Sequence, residues 1–213
     1  MTVIARLFAL VGLLFVAGCA ASDPPNLSVA EIGGLKLASV QVTFQPDAFV
    51  NYTPAETELA QTKGVALDDG PAIEALVKSP EGTAFIRQRA SDRIRAAMLN
   101  EVGPVMSGAR PVRLEVQVKR IDIPSTGRNI ATALLFGSHD ATVNFRATVL
   151  DARTGAPLID GHDLSVLQAT GGGLVGLAAV AALEASGAVD SPYDRLVRTA
   201  AKQYARWLNP GTS

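Results

Sequence analysis

The chain has 213 residues, a formal net charge of −1, 48% hydrophobic residues and 5% aromatics. That balance leaves no basic excess to neutralise phosphates, which excludes a nucleic-acid binder held by backbone electrostatics, and so few aromatics exclude a stacking platform for bases or sugars. The length fits one domain, and the mean hydropathy of +0.23 reflects local apolar stretches rather than an apolar body.

The first apolar stretch opens the chain. Arg6 is the single positive charge of a short leading region, Leu7 to Val16 is apolar, and small residues lead up to Cys19. This is the layout of an export signal. The run is too short to span a bilayer, which takes roughly 20 apolar residues. Val16-Ala17-Gly18-Cys19 resembles the lipobox of bacterial lipoproteins. The resemblance implies cleavage before Cys19, a diacylglycerol thioether on its sulfur and acylation of the new amine, so that the membrane becomes a partner through Cys19. One acyl chain holds marginally and two or three hold firmly, at about 0.8 kcal/mol per buried methylene. Ala20 stands where an Asp retains lipoproteins in the inner membrane, so the resemblance also implies the periplasmic face of the outer membrane. Cys19 is the only cysteine. Once lipidated, it leaves the exported domain with no thiol, disulfide or cysteine metal site, and the fold must rely on its core. The expected organisation is a signal peptide over 1–18, a lipidated N-terminus and flexible tether over 19–34, and one periplasmic domain over 35–213.

Within the tether, Asp23-Pro24-Pro25-Asn26 cannot continue a helix. Leu35 to Phe44 then alternates, with Ala38, Val40, Val42 and Phe44 on one face, the period of a half-buried strand; Pro46 is expected to end it. Residues 46–78 carry Asp47, Glu56, Glu58, Asp68, Asp69 and Glu74, with short helices expected near 54–62 and 71–78, the second opened by Pro71. Such an acidic run is usually a solvated face, and a partner surface is the alternative. A long helix is expected over Pro80–Glu101, capped by Ser79, with Ile86, Ala90, Ile94, Ala97 and Met98 as its apolar stripe. Arg87, Arg89, Arg93 and Arg95 spread round the rest of that helix rather than forming one anion site.

Val112, Leu114, Val116 and Val118 alternate along a second strand over 112–123, and Ile121 and Ile123 shift phase, which predicts a bulge near Lys119-Arg120. A third strand is expected over 140–150. The turn Asp151-Ala152-Arg153-Thr154-Gly155, with Gly155 at positive φ, leads into a fourth strand over 158–167. A last helix over Pro192–Leu208 has Tyr193, Leu196, Val197, Ala200, Tyr204 and Leu208 as its stripe, behind a capping-box-like start at Ser191. The fold class is therefore α+β: a single domain with a four-stranded, mainly antiparallel sheet packed by two long helices, in the order strand-helix-strand-strand-strand-helix.

Two apolar insertions interrupt this pattern: Pro124–His139, with Leu134, Leu135 and Phe136, and Ala169–Val189, with Leu174, Val175 and Leu177. An antiparallel meander sends both from the same end of the sheet, together with the acidic 46–78 segment, and leaves the 151–155 turn at the other end. These six residues are the candidate contacts for a partner or for lipid; packing against each other as a small satellite core is the competing reading. On the last helix, Arg195, Arg198, Lys202 and Arg206 share a narrow arc at 100° per residue and are the candidate contact for an anionic partner, although such an arc is more often simply solvated.

No catalytic constellation, metal site or cofactor is expected. The two histidines, His139 and His162, show no ligand spacing. In Asp160-Gly161-His162-Asp163, strand alternation puts Asp160 and His162 on one face and Asp163 on the other, a polar strand face. Gly171-Gly172-Gly173 lacks the spaced glycines, Lys and Ser/Thr of a phosphate loop. A Gly/Ala-rich apolar stretch before Val149-Leu150-Asp151-Ala152-Arg153-Thr154-Gly155, paired with a glycine-rich segment before the last helix, resembles the small α/β domain of proteobacterial outer-membrane lipoproteins, both uncharacterised and transport-auxiliary families. The resemblance implies a non-enzymatic accessory or assembly component of the cell envelope that acts through an envelope protein partner or self-association, with no nucleic acid involved. A lipid-handling auxiliary of a transport system is the alternative, and an unrecognised hydrolase a third.

Overall fold

One four-stranded sheet, in the order β1-β2-β3-β4, carries the molecule, with its helices laid on one face. The structure is a computed structural model, and it describes residues 23–123, 141–168 and 192–211. The elements in chain order are α1 (Val29–Gly33), β1 (Leu35–Tyr52), α2 (Thr53–Lys63), α3 (Gly70–Lys78), α4 (Pro80–Val102), β2 (Arg110–Ile123), β3 (Ala141–Asp151), β4 (Pro157–Gln168) and α5 (Pro192–Leu208). Cys19, the two apolar insertions, His139, the 171–173 glycines and Ser191 lie outside the described residues.

The expected α+β class holds, and the sheet is mixed. β2, β3 and β4 form an antiparallel meander, while β1 runs parallel to β2. Parallel neighbours need a long crossover, and α2, α3 and α4 supply it. Strand alternation makes the core: Val112, Leu114, Val116 and Val118 on β2 and Val143, Phe145, Ala147 and Val149 on β3 are fully buried on one face. α4 and α5 close over that face. Ile86, Ala90, Ile94 and Met98 are buried as the helical spacing predicts, and Ser79 caps α4 by accepting from the Gly82 amide at 3.0 Å. All six stripe residues of α5 are buried, and the buried Tyr193 hydroxyl donates to the Ala90 carbonyl at 3.0 Å, tying α5 to α4. The bulge expected in β2 is present, as a register shift between Val118 and Arg120.

Four expectations need correction. Pro46 does not end β1. A prolyl nitrogen cannot donate to the ladder, so the chain bows out between Phe44, opposite Val118, and Phe49, opposite Arg120, and pairing then resumes to Tyr52. Ala38 is exposed rather than facing the core, because the register shifts between Leu37 and Ser39 and puts Leu37 and Val40 inward. Asp160 and His162 do not share a face: β4 bulges between Ile159, opposite Val149, and His162, opposite Ala147, so His162 turns toward α5 while Asp160 is exposed. Finally, from Asp23 on, the segment expected to be tether is fastened to the domain. The Trp207 indole donates to the Asp23 carbonyl at 2.8 Å, and the Asn26 amide to the Leu158 carbonyl at 3.0 Å. Ser28 and Glu31 form a capping box that starts α1, whose Ile32 is 1% exposed.

Strand register sorts the molecule into two ends. At one, the start of β1 meets the start of β2, the β3–β4 turn and the N-terminal segment. At the other, Tyr52 lies opposite Ile123, Asp122 opposite Thr142, and Ala141 opposite Gln168. Both apolar insertions therefore depart from this second end, as the meander predicts.

Candidate functional site

The second end carries an open groove of about 740 Å³. Its walls follow from the detour at Pro46. Once β1 resumes, Phe49, Val50 and Asn51 project where the sheet ends, and α2 begins directly at Thr53 with Pro54 in its first turn. α2 stops at Gly64, whose φ of 70° places it in the left-handed region that favours glycine. Asp69 then caps α3 by accepting from the Ala72 amide at 3.1 Å. Gly82 lets α4 pass close under the end of α3: a Cβ there would meet the Leu76 carbonyl oxygen at 2.1 Å.

The groove is incompletely covered. α3 spaces Ile73, Leu76 and Val77 on one side, yet buries none of its residues fully. Phe49 and Leu67, both groove residues, are 49% and 54% exposed. The Arg120 guanidinium stacks over the Phe49 ring at 4.7 Å and pairs with Asp122 at 2.6 Å, and Asp122 in turn accepts from Asn51 at 2.9 Å. The buried hydroxyl oxygen of Thr53, in the groove lining, has no hydrogen-bond partner, a state that normally costs free energy. Glu56 and Glu74 line the rim, Glu74 paired with Lys78. Over 46–78, six carboxylates face two lysines.

A second, smaller concavity of about 510 Å³ lies between α2, α4 and the start of α5, lined by Tyr52, Glu58, Arg89, Asp92, Arg93 and Asp194 among others. Its charges are paired: Arg89 with Glu58, Arg93 with Asp194 at 3.6 Å, and Asp92 with Arg95 at 2.8 Å. Tyr52 packs on Tyr193 with ring centroids 4.2 Å apart. Burial, and then the charge of Asp194, push the Tyr52 hydroxyl up to about 12. A tyrosine base or nucleophile working near neutral pH needs the opposite shift. Burial also lowers the His162 imidazole, which stacks on Trp207 at 4.1 Å and packs beside Tyr204; it is a packing residue here. Among the described residues no cluster of three potential metal ligands occurs, and no helix is long and apolar enough to cross a membrane.

The four arginines of α4 are dispersed as expected, Arg87 over Phe44 at 5.3 Å and the others on the separate partners above. On α5, Arg198, Lys202 and Arg206 are exposed and Arg195 is half-buried, so the arc exists as a surface feature, away from the groove. Leu134, Leu135, Phe136, Leu174, Val175 and Leu177 lie outside the described residues. The groove itself was missed by periodicity because its lining comes from a strand fragment, the first turns of α2, a loop and the short α3. The Ile73-Leu76-Val77 spacing was its one legible signal.

No protein-family model matches the chain, and no curated protein matches it. Among solved structures, the chain is similar to PelC from Paraburkholderia phytofirmans, crystallised as a dodecamer, at 10% identity over 88% of this chain and 95% of that one, with a TM-score of 0.39. It is also similar to protein XCC0632 from Xanthomonas campestris, of family DUF330, at 13% identity over 55% of this chain, with a TM-score of 0.34; the match spans 59% of that protein. A third is a Caulobacter crescentus CB15 protein taken to be a lipoprotein, at 17% identity over 56% of this chain and 80% of that one, with a TM-score of 0.32. These likenesses are too slight to carry a functional argument, so function is argued from the groove.

Proposed function

We propose that the chain is a non-enzymatic envelope lipoprotein, anchored through lipid on Cys19 to the periplasmic face of the outer membrane, and that it works by holding a basic, amphipathic segment of a protein partner in the groove beside β1 and α3. The observation that carries this reading is a groove whose exposed apolar side chains, Phe49 and Leu67, stand beside the two carboxylates of its lining, Glu56 and Glu74. An apolar floor with an acidic rim is complementary to a helix that has leucines on one face and lysines at its margins. The same rim opposes a lipid-handling role, because it repels anionic headgroups, and the groove is open rather than an enclosed acyl cavity.

The test is a titration of the purified domain with a fluorescent Leu/Lys helical peptide of roughly four turns, against a Leu/Glu peptide of the same pattern. The wild type binds the Leu/Lys peptide and not the Leu/Glu one. The Phe49→Ser/Leu67→Ser variant binds it at least about tenfold more weakly, a loss of about 1.4 kcal/mol. Equal binding by the variant, or none by the wild type, overturns the proposal. Growth in particle mass without peptide identifies a second copy as the occupant instead.

A further inference from the structure

Phe49 is the groove residue whose position core packing leaves open. Among the described residues three arginines stack over phenylalanine rings: Arg87 on Phe44 at 5.3 Å, Arg89 on Phe85 at 5.1 Å and Arg120 on Phe49 at 4.7 Å. Phe44 and Phe85 are half-buried and also packed against the core, so the core holds their rings whether or not an arginine covers them. Phe49 is 49% exposed. It follows directly on the detour at Pro46, where no residue from Gln45 to Ala48 has a register partner in β2.

A phase change in β2 brings Arg120 to that ring. Val112, Leu114, Val116 and Val118 face the core at every second position, and unbroken alternation would send Arg120 and Asp122 inward too. The bulge between Val118 and Arg120 turns Ile121 and Ile123 inward instead, and moves the two charged residues to the opposite face of the sheet. On β1, Val50 packs on the core and Tyr52 is buried, so Phe49 and Asn51 stand on that same opposite face. The parallel register then sets Phe49 opposite Arg120 and Asn51 opposite Asp122. These four side chains close on one another. Arg120 Nη2 reaches Asp122 Oδ2 at 2.6 Å, the Asn51 amide donates to Asp122 Oδ1 at 2.9 Å, and the guanidinium so held lies over the Phe49 ring.

We infer that Arg120 is a positioning residue for the groove: it does not line the groove, but it holds the Phe49 ring in one rotamer, facing the bound segment. This rests on the reading that the groove is the binding surface. The size of the effect follows from rotamer statistics. A half-exposed ring released from its stack spreads over about three staggered χ1 wells. Apparent affinity falls in proportion to the fraction of molecules in the competent conformer, so losing the stack weakens binding about threefold. Lysine does not substitute for Arg120. It keeps the charge, but an ammonium lacks the flat guanidinium face that lies on a ring.

The test uses the chain from residue 19 on, carrying Cys19→Ser so that no lipid is added, which retains every element of the fold. Three-bond couplings about the Phe49 χ1 bond are measured in the free protein, and the fluorescent Leu/Lys peptide is titrated in parallel. The parent chain is expected to show one dominant rotamer. Arg120→Ala and Arg120→Lys both show averaged couplings and bind the peptide about threefold more weakly, with the melting temperature unchanged. On a Phe49→Leu background, Arg120→Ala weakens binding no further. Averaged couplings in a parent that binds, parental couplings in Arg120→Ala, or full affinity in Arg120→Lys overturns the inference while the groove reading stands; so does an Arg120→Ala loss that persists beside Phe49→Leu. A parent that binds no peptide removes the groove reading and this inference together.

Discussion

The two ends of this molecule are built on opposite terms. At the fastened end the named contacts are answered: Asp151 receives the Arg153 and Thr154 amides at 3.0 and 3.1 Å and the Arg110 guanidinium at 2.8 Å, Gly155 takes a φ of +73°, and Gly108 allows backbone to lie on backbone. At the far end Phe49 and Leu67 are half-exposed, Thr53 keeps a buried hydroxyl oxygen without a partner, and α3 buries no residue fully. Both ends belong to one sheet and share one core, so the difference is not one of fold quality. The first end is closed by paired groups, and the second leaves apolar surface exposed.

The contrast can be broken most directly at Gly108. Gly108→Ala forces apart backbone atoms that lie within 2.5 Å of the new Cβ, and it is expected to destabilise the domain by about 1–3 kcal/mol, as overpacking does, measured by urea unfolding. Asp151→Asn comes next. The Arg110 guanidinium, followed by the Thr154 and Arg153 amides, holds the Asp151 carboxyl well below the usual carboxylate range. A lowered folded-state pKa means that the unfolded chain binds the proton more readily, so the stabilisation is present at neutral pH and is lost only as pH falls through the depressed value. The melting-temperature gap between wild type and Asp151→Asn is therefore constant from pH 7 to 5 and closes in stronger acid. A gap that closes near pH 6 would implicate a different group.

Trp207→Phe is a smaller change. It removes the indole donor to Asp23 while keeping an aromatic ring beside His162; a loss of about 1 kcal/mol is expected, together with faster hydrogen exchange confined to residues 23–34. Leu67→Ser sits at the bottom of the scale. A half-exposed loop residue leaves stability within about 0.5 kcal/mol of wild type, yet the same change weakens peptide binding. A Leu67→Ser variant that unfolds would show that the open end is part of the core after all.

Sequence periodicity exposed whatever repeats over several turns or strand pairs. The α4 stripe from Ile86 to Met98, the alternation of Val112 to Val118 and the α5 stripe from Tyr193 to Leu208 were legible because burial enforces a period. Local interruptions were not. Pro46 is a sound reason to end a strand, and only the pairing of Phe49 with Arg120 shows the ladder resuming beyond it. One extra residue between Ile159 and His162 reversed the expected face of a histidine. The Asp23–Asn26 stretch read as tether because its residues disfavour helix, but its fastening depends on Trp207 and Leu158, far away in sequence. The acidic excess over 46–78 was visible; the apolar floor beside it was not, since a strand end, two helices and a loop build it.

The central claim is that the open end, and not the basic arc of α5, is the binding surface. Amide chemical-shift mapping of the isotope-labelled domain during titration with the Leu/Lys peptide tests it most directly. The account predicts shifts concentrated at Phe49, Thr53, Leu67 and Ile73, with Asp23, Arg153 and Arg206 unmoved. Shifts gathered along α5, or at the Asp23–Trp207 corner, would contradict it.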